Sequence, residues 1–155
     1  MVNLNEVYKS VLDADRGAIM DIRRIDDVDD ITGEFINEEF SQYGIQNGID
    51  LNYDEFCFVA EDDGKIIGVI TGRAYYNEVH IGDLVVSGTC RGSGIGSALV
   101  HAVEYAYKDA GYDKITLTTF GFQAPEFYKK LGYEVEFIRE DNNPQLRKYF
   151  LIKLI

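Results

Sequence analysis

At 155 residues, 46% hydrophobic and 27% charged, the chain is long enough to bury a core as one domain over 1–155 and has an ordinary globular composition. A net charge of −12 argues against a nucleic-acid partner, and no run of about 18 apolar residues offers a membrane span. The start, MVNLNEVYKSVLDADRG, has no signal-peptide pattern, and Cys57 and Cys90 stand in no metal spacing, so a cytoplasmic protein with free thiols and no metal is expected.

GAIMDIRRI (17–25) reads as a first strand. Residues 26–44 read as a helix: Val28, Ile31, Phe35, Ile36, Phe40 and Tyr43 recur at helical spacing, Asp26 or Asp27 can cap it, and Gly44 can stop it. After the loop IQNGIDLNYD come three strands, 55–61, 66–76 and 78–86, the first two joined by DDGK, a hairpin signal. A glycine-rich stretch then opens a helix to Ala110. Ile95, Ala98, Leu99, Ala102, Ala106 and Ala110 line its apolar face, Ser97, His101, Glu104 and Lys108 the polar one, and Gly111 ends it. KITLTTF (114–120) is a β-branched strand, and APEFYKKLG a short helix with Pro125 near its first position. YEVEFIRE and RKYFLIKLI close the chain as strands around DNNPQL, and the apolar YFLIKLI could help form a homodimer. The order predicts an α/β (α+β) fold: a mixed, mostly antiparallel sheet with helices on both faces.

The stretch RGSGIG (91–96) lies where a strand meets a helix. A helix start leaves its first N–H groups unpaired and carries about half a positive charge, so it binds phosphate where no side chain blocks the approach. Arg91 adds a cation, and the stretch reads as a diphosphate cradle. A Walker loop would need Lys-Ser or Lys-Thr after the last glycine, where Ser97-Ala98 stands. In the dinucleotide fingerprint Gly92 and Gly94 fit, but Ser97 takes the third glycine's place and TLTTF ends without the acid. A ligand-free tight turn does not call for three glycines and an arginine.

Arg91-Gly92-Ser93-Gly94-Ile95-Gly96 resembles the acyl-CoA signature, Arg/Gln-x-x-Gly-x-Gly/Ala, of the GNAT-superfamily N-acetyltransferases. Leu84-Val85-Val86 fits the strand before that signature, and APEFYKKLGY (124–133) is similar to the family's later helix motif, Ala-x-x-Phe-Tyr-x-x-x-Gly-Phe/Tyr. The element order agrees with the GNAT fold from Gly17 to Ile155.

The resemblance implies direct transfer of acetyl from acetyl-CoA to a primary amine, with no acyl-enzyme and no metal. It assigns Arg91, Gly92, Ser93, Gly94, Ile95, Gly96 and Ser97 to the diphosphate, Leu84 and Val85 to the pantetheine arm, and the Val86 amide to the thioester carbonyl. Tyr128 takes the place of the general acid; a phenol with a pKa near 10 is protonated at neutral pH. Where some relatives carry Glu-Asp before the Leu-x-Val strand, this chain has Gly82-Asp83, so Asp83 remains to orient or deprotonate the amine. Glu78 and His80 lie earlier on the same strand; strict alternation puts His80 on the face of Leu84 and Val86. His101 receives no role. Gly121 stands where many relatives have an asparagine, and Gln123 is an imperfect substitute. Cys90, beside Arg91, could have a lowered pKa, but nothing around it suggests a nucleophile.

The acceptor pocket is expected from the first helix, the following loop and the splayed strands. Glu34, Glu38, Glu39, Tyr43, Tyr75 and Tyr76 offer carboxylates and aromatic faces for a small cationic amine, and the acidic charge would steer one in. The alternatives are another acyl donor, an amino-acid or peptide acceptor, or a CoA-binding regulatory module without turnover.

Overall fold

The computed structural model describes residues 11–13, 18–20, 23–50 and 52–155, in two compact units, Met1–Asn47 and Gly48–Ile155. In the first, β1 (Val11–Asp13) pairs antiparallel with β2 (Ala18–Met20), and α1 (Asp30–Gln46) follows. The strand expected over 17–25 is therefore shorter, and its partner is an upstream strand the sequence did not signal. Asp29, rather than Asp26 or Asp27, caps α1: its Oδ1 accepts the Thr32 N–H at 2.9 Å, and that bond holds the carboxyl below the usual carboxylate range. Gly44 does not end the helix. Asn47 does, donating its backbone N–H to Gly44 O at 2.9 Å and its side-chain amide to Tyr43 O at 2.8 Å.

The second unit is a six-stranded sheet in the order β3-β4-β5-β6-β8-β7. Its strands are β3 (Asp54–Asp62), β4 (Lys65–Tyr75), β5 (Glu78–Val86), β6 (Lys114–Phe120), β7 (Glu134–Arg139) and β8 (Lys148–Leu154). Neighbours run antiparallel except β5 and β6, which are parallel and joined through α2 (Ile95–Tyr107). A short α3 (Pro125–Lys130) leads from β6 to β7. This is the mixed, mostly antiparallel α/β architecture expected.

One face of the sheet carries the core. Ile70, Ala74, Val79, Ile81, Ile115, Leu117 and Leu151 meet Leu99, Val100, Val103 and Tyr107 from α2. The buried stripe of α2 is thus rotated from the alanine-lined one, since Ala98 and Ala106 are exposed. The reason is area. Burial stabilises by roughly 25 cal/mol per Å² of apolar surface, and two valines and a tyrosine bring far more of it than alanines. β8 sits between β6 and β7 with both edges paired, so its apolar run is that of an interior strand and it has no free edge for a second copy.

Candidate functional site

The site begins with a defect in β5. Ile81 pairs with Gly72 and Leu84 with Ile70, so Gly82 and Asp83 together face Thr71 alone. This is a β-bulge, closed by the Asp83 N–H donating to Thr71 Oγ1 at 3.2 Å. A bulge bends its strand. Pairing of β5 with β6 runs from Glu78–Lys114 to Ile81–Leu117 and goes no further, and beyond it the two strands part.

Ladder arithmetic decides what the open edge of β5 offers. Ser87 N–H donates to Ile67 O at 2.8 Å, which makes Ser87 and Ile67 a hydrogen-bonded pair. By alternation Val86 and Leu84 are non-bonded pairs with β4, so their N–H and C=O groups point toward the gap, while those of Val85 point to β4. Arg91 Nε donates to Val86 O at 3.3 Å, leaving the Val86 N–H free toward the gap.

A cleft of about 830 Å³ occupies this gap. Its lining includes Asp83, Leu84, Val85, Val86, Arg91, Gly92, Gly94, Ile95, Gly96, Ser97 and Tyr128. These are all the residues that the sequence assigned to the cofactor and to catalysis except Ser93, whose hydroxyl donates to Cys90 O at 2.5 Å and ties the loop; none of the acceptor-pocket candidates is among the lining. Gly92 and Gly94 have φ of 78° and 88°, the left-handed region that side chains resist. A Cβ on either would meet no atom of the described residues within 4 Å beyond its chain neighbours, so the loop is open above them there. Gly94 caps α2 with no side chain, and the first helical bond there is Ala98 N–H to Gly94 O at 3.0 Å. The N–H groups of Ile95, Gly96 and Ser97 therefore have no helical partner and form a cradle that fits a diphosphate.

Across the cleft, Tyr128 is buried on α3, edge-on to Phe127 and Tyr133 with ring centroids 5.0 and 5.8 Å away. Burial pushes its phenol up to about 12, so it holds its proton throughout the neutral range. Phe127 seats α3 against the first turn of α2, its ring 3.4 Å from where a Cβ on Gly96 would lie.

Thr118, Thr119, Phe122 and Gln123 also line the cleft and were not assigned to the lining from sequence. Gln123 Oε1 accepts the Phe120 N–H at 2.9 Å and the Thr119 hydroxyl at 3.3 Å, so that oxygen braces the loop between β6 and α3. The absence of asparagine at Gly121 has a steric cause: a Cβ there would overlap the carbonyl oxygen of Pro144, and the Gly121 N–H is bonded to Arg147 O at 2.9 Å. Cys90 lines the cleft wall. His101 pairs with Glu104 on α2 at 3.0 Å.

His80 corrects the sequence reading. The one extra residue of the bulge reverses the alternation, so Leu84 packs with Val79 and Ile81 against the core while His80 stands on the opposite face. Strict two-residue counting fails across a bulge that only the fold reveals. Tyr75 and Tyr76 sit at the β4–β5 turn, the far end of the hairpin from the bulge. Glu34, Glu38, Glu39 and Tyr43 stand on α1 in the first unit. Among the described residues no group of three or more His, Cys, Asp or Glu could hold a metal, and no helix is long and apolar enough to cross a membrane.

The profile of the acetyltransferase (GNAT) family matches residues 19–133. An uncharacterized N-acetyltransferase of Methanocaldococcus jannaschii is 34% identical over 84 residues, 52% of this chain. The match spans about half of that relative, 54% of its length. Blasticidin-S acetyltransferase of Streptomyces morookaense is 29% identical over 97 residues, 62% of this chain and 71% of that protein. The crystal structure of an acetyltransferase from Bacillus cereus superimposes with a TM-score of 0.70 at 34% identity, covering 86% of this chain and 98% of that one.

Proposed function

This chain belongs to the GNAT acetyltransferase family, and we propose that it carries an acetyl group from acetyl-CoA directly to the primary amine of a small substrate. One observation carries the reading: a single cleft holds an uncapped helix start over glycines, an unpaired strand edge and a protonated phenol. Acetyl-CoA supplies an acetyl thioester already activated toward amines. The N–H groups of Ile95, Gly96 and Ser97 take the diphosphate, with Gly92 and Gly94 clearing the approach, Ser93 fixing the loop and Arg91 adding positive charge. Leu84 pairs its backbone groups with the pantetheine amides, and Val85 forms the wall beside it. The Val86 N–H points at the acetyl oxygen; such a fixed donor is commonly worth about 10²–10³ in rate. Asp83 draws in and orients the ammonium, and Tyr128 gives a proton to the departing sulfur.

The family match runs through both units, which supports one catalytic domain over the whole chain. The net charge of −12 supports a cationic acceptor. Free thiols at Cys57 and Cys90 agree with a cytoplasmic location.

The test is release of free CoA thiol in the presence of an alkylamine, a diamine, an amino acid, a dipeptide and an aminoglycoside. Turnover with at least one is expected. Tyr128→Phe should cut kcat by about 10²-fold while acetyl-CoA affinity, read by calorimetry, stays within a factor of three. Tight acetyl-CoA binding without release for any amine would instead identify a CoA-binding module.

A further inference from the structure

Lys153 is out of place by the logic of its strand. On β8 it shares a face with Leu151, two residues earlier, and its cross-strand neighbour is Ile115; both are buried in the core. A charge at the margin of an apolar face costs stability unless it is paired. Lys153, with 27% of its side chain exposed, is paired twice. Its Nζ donates to Glu104 Oε1 on α2 at 2.8 Å and to the backbone oxygen of Leu131 at 2.8 Å. It also lies 5.5 Å from the centre of the Tyr133 ring. One ammonium thus joins β8, α2 and the end of α3.

The end of α3 matters because of what α3 carries. A helix of six residues does not hold its own shape, so the setting of Tyr128 depends on how α3 is docked. At the start of α3 the bonds are long: Ala124 N–H to Thr119 Oγ1 and Tyr128 N–H to Ala124 O are both 3.4 Å. At its end they are shorter and meet on Tyr128 itself. Tyr128 O accepts the N–H of Leu131 at 3.0 Å and that of Tyr133 at 3.1 Å, while Gly132 N–H donates to Lys129 O at 3.0 Å. With Gly132 at a φ of 88°, this is a Schellman turn. The turn uses the carbonyls of Tyr128 and Lys129 and leaves that of Leu131 over, and Lys153 takes it. The Tyr133 ring meets both residues, with the Lys153 ammonium above it and Tyr128 edge-on at 5.8 Å.

Resting on the acetyltransfer reading above, we propose that Lys153 is a positioning residue for that reaction: by holding the turn after α3 to α2 and β8, it sets the Tyr128 hydroxyl where the departing sulfur needs its proton. Lys153 is not among the residues that line the cleft. The proton still passes from the Tyr128 oxygen to sulfur as the carbon–sulfur bond breaks; Lys153 governs only the distance it must cross. Misplacing a catalytic group by about 1 Å can cost on the order of 10²-fold in rate.

Lys153→Met keeps most of the stem and removes the ammonium. In this variant kcat should fall about tenfold, while acetyl-CoA affinity, read by calorimetry, is unchanged because the cradle at the start of α2 is untouched. A merely structural role could also lower kcat, so the deciding measurement is a double-mutant cycle. In Tyr128→Phe no hydroxyl is left to place, and adding Lys153→Met should have no further effect on kcat. Should Lys153→Met not fold, Lys153→Met/Glu104→Gln, which leaves no unpaired carboxylate behind, takes its place in the cycle. An unimpaired Lys153→Met, or a loss of kcat by the same factor with and without the Tyr128 hydroxyl, overturns the role of Lys153 and leaves the acetyltransferase reading standing. A wild type that binds acetyl-CoA and acetylates no amine removes both.

Discussion

Gly94 shows how much one residue can hold. Its φ of 88° suits only a residue without a side chain, and its open surroundings mean that a Cβ would project where a diphosphate must approach. Gly94→Val should therefore weaken acetyl-CoA binding by at least tenfold in calorimetry while the circular dichroism spectrum keeps its native shape. The strain of a β-branched residue in that region should cost only about 1–2 kcal/mol. Unchanged affinity in a folded variant would remove the cradle. Gly94, Arg91 and Tyr128 were legible in the sequence because their spacing is local, within one turn or one short helix. His80 was not, because the face it occupies depends on a bulge two residues later.

Among the elements, the loop between β6 and α3 and the turn before β8 are built against each other. Phe122 N–H donates to Gln145 O at 3.1 Å, Gly121 N–H to Arg147 O at 2.9 Å, and the space beside Gly121 is filled by Pro144. Gly121→Asn should for that reason be harmful here. Overpacking of this kind costs about 1–3 kcal/mol, and the urea midpoint should fall accordingly; a midpoint at or above wild type would show that the turn can move aside. The rotated stripe of α2 has the same kind of origin. Periodicity located a helix, but the sheet it covers chose Val100, Val103 and Tyr107 over the alanines.

For the molecule as a whole, buried phenols set an alkaline limit. Burial raises Tyr107, Tyr128 and Tyr133, Tyr128 to about 12. An unfolded phenol ionises near pH 10, so above that pH the unfolded chain releases protons that the folded chain must keep. The unfolded state then binds fewer protons, and stability falls as pH rises. Stability should be level up to about pH 9 and drop between pH 10 and 12, with Tyr128 alone accounting for on the order of 3 kcal/mol. Urea unfolding at stepped pH measures this, and Tyr128→Phe should flatten part of the slope. A wild-type curve flat through pH 11 would mean that these phenols are not buried as described.

The sequence by itself determined the order of the elements from α1 onward, the glycine-rich turn before α2, and the short tyrosine-bearing helix after β6. Each is written in neighbouring residues, through turn chemistry, helix caps and apolar period. Only the tertiary structure decided that β5 bulges at Gly82-Asp83, that Leu84 and Val86 rather than Val85 turn their backbone groups to the cleft, and that His80 faces the other way. Those facts depend on which strand lies alongside and in what register. Register is a property of two segments taken together, and no period within one of them encodes it.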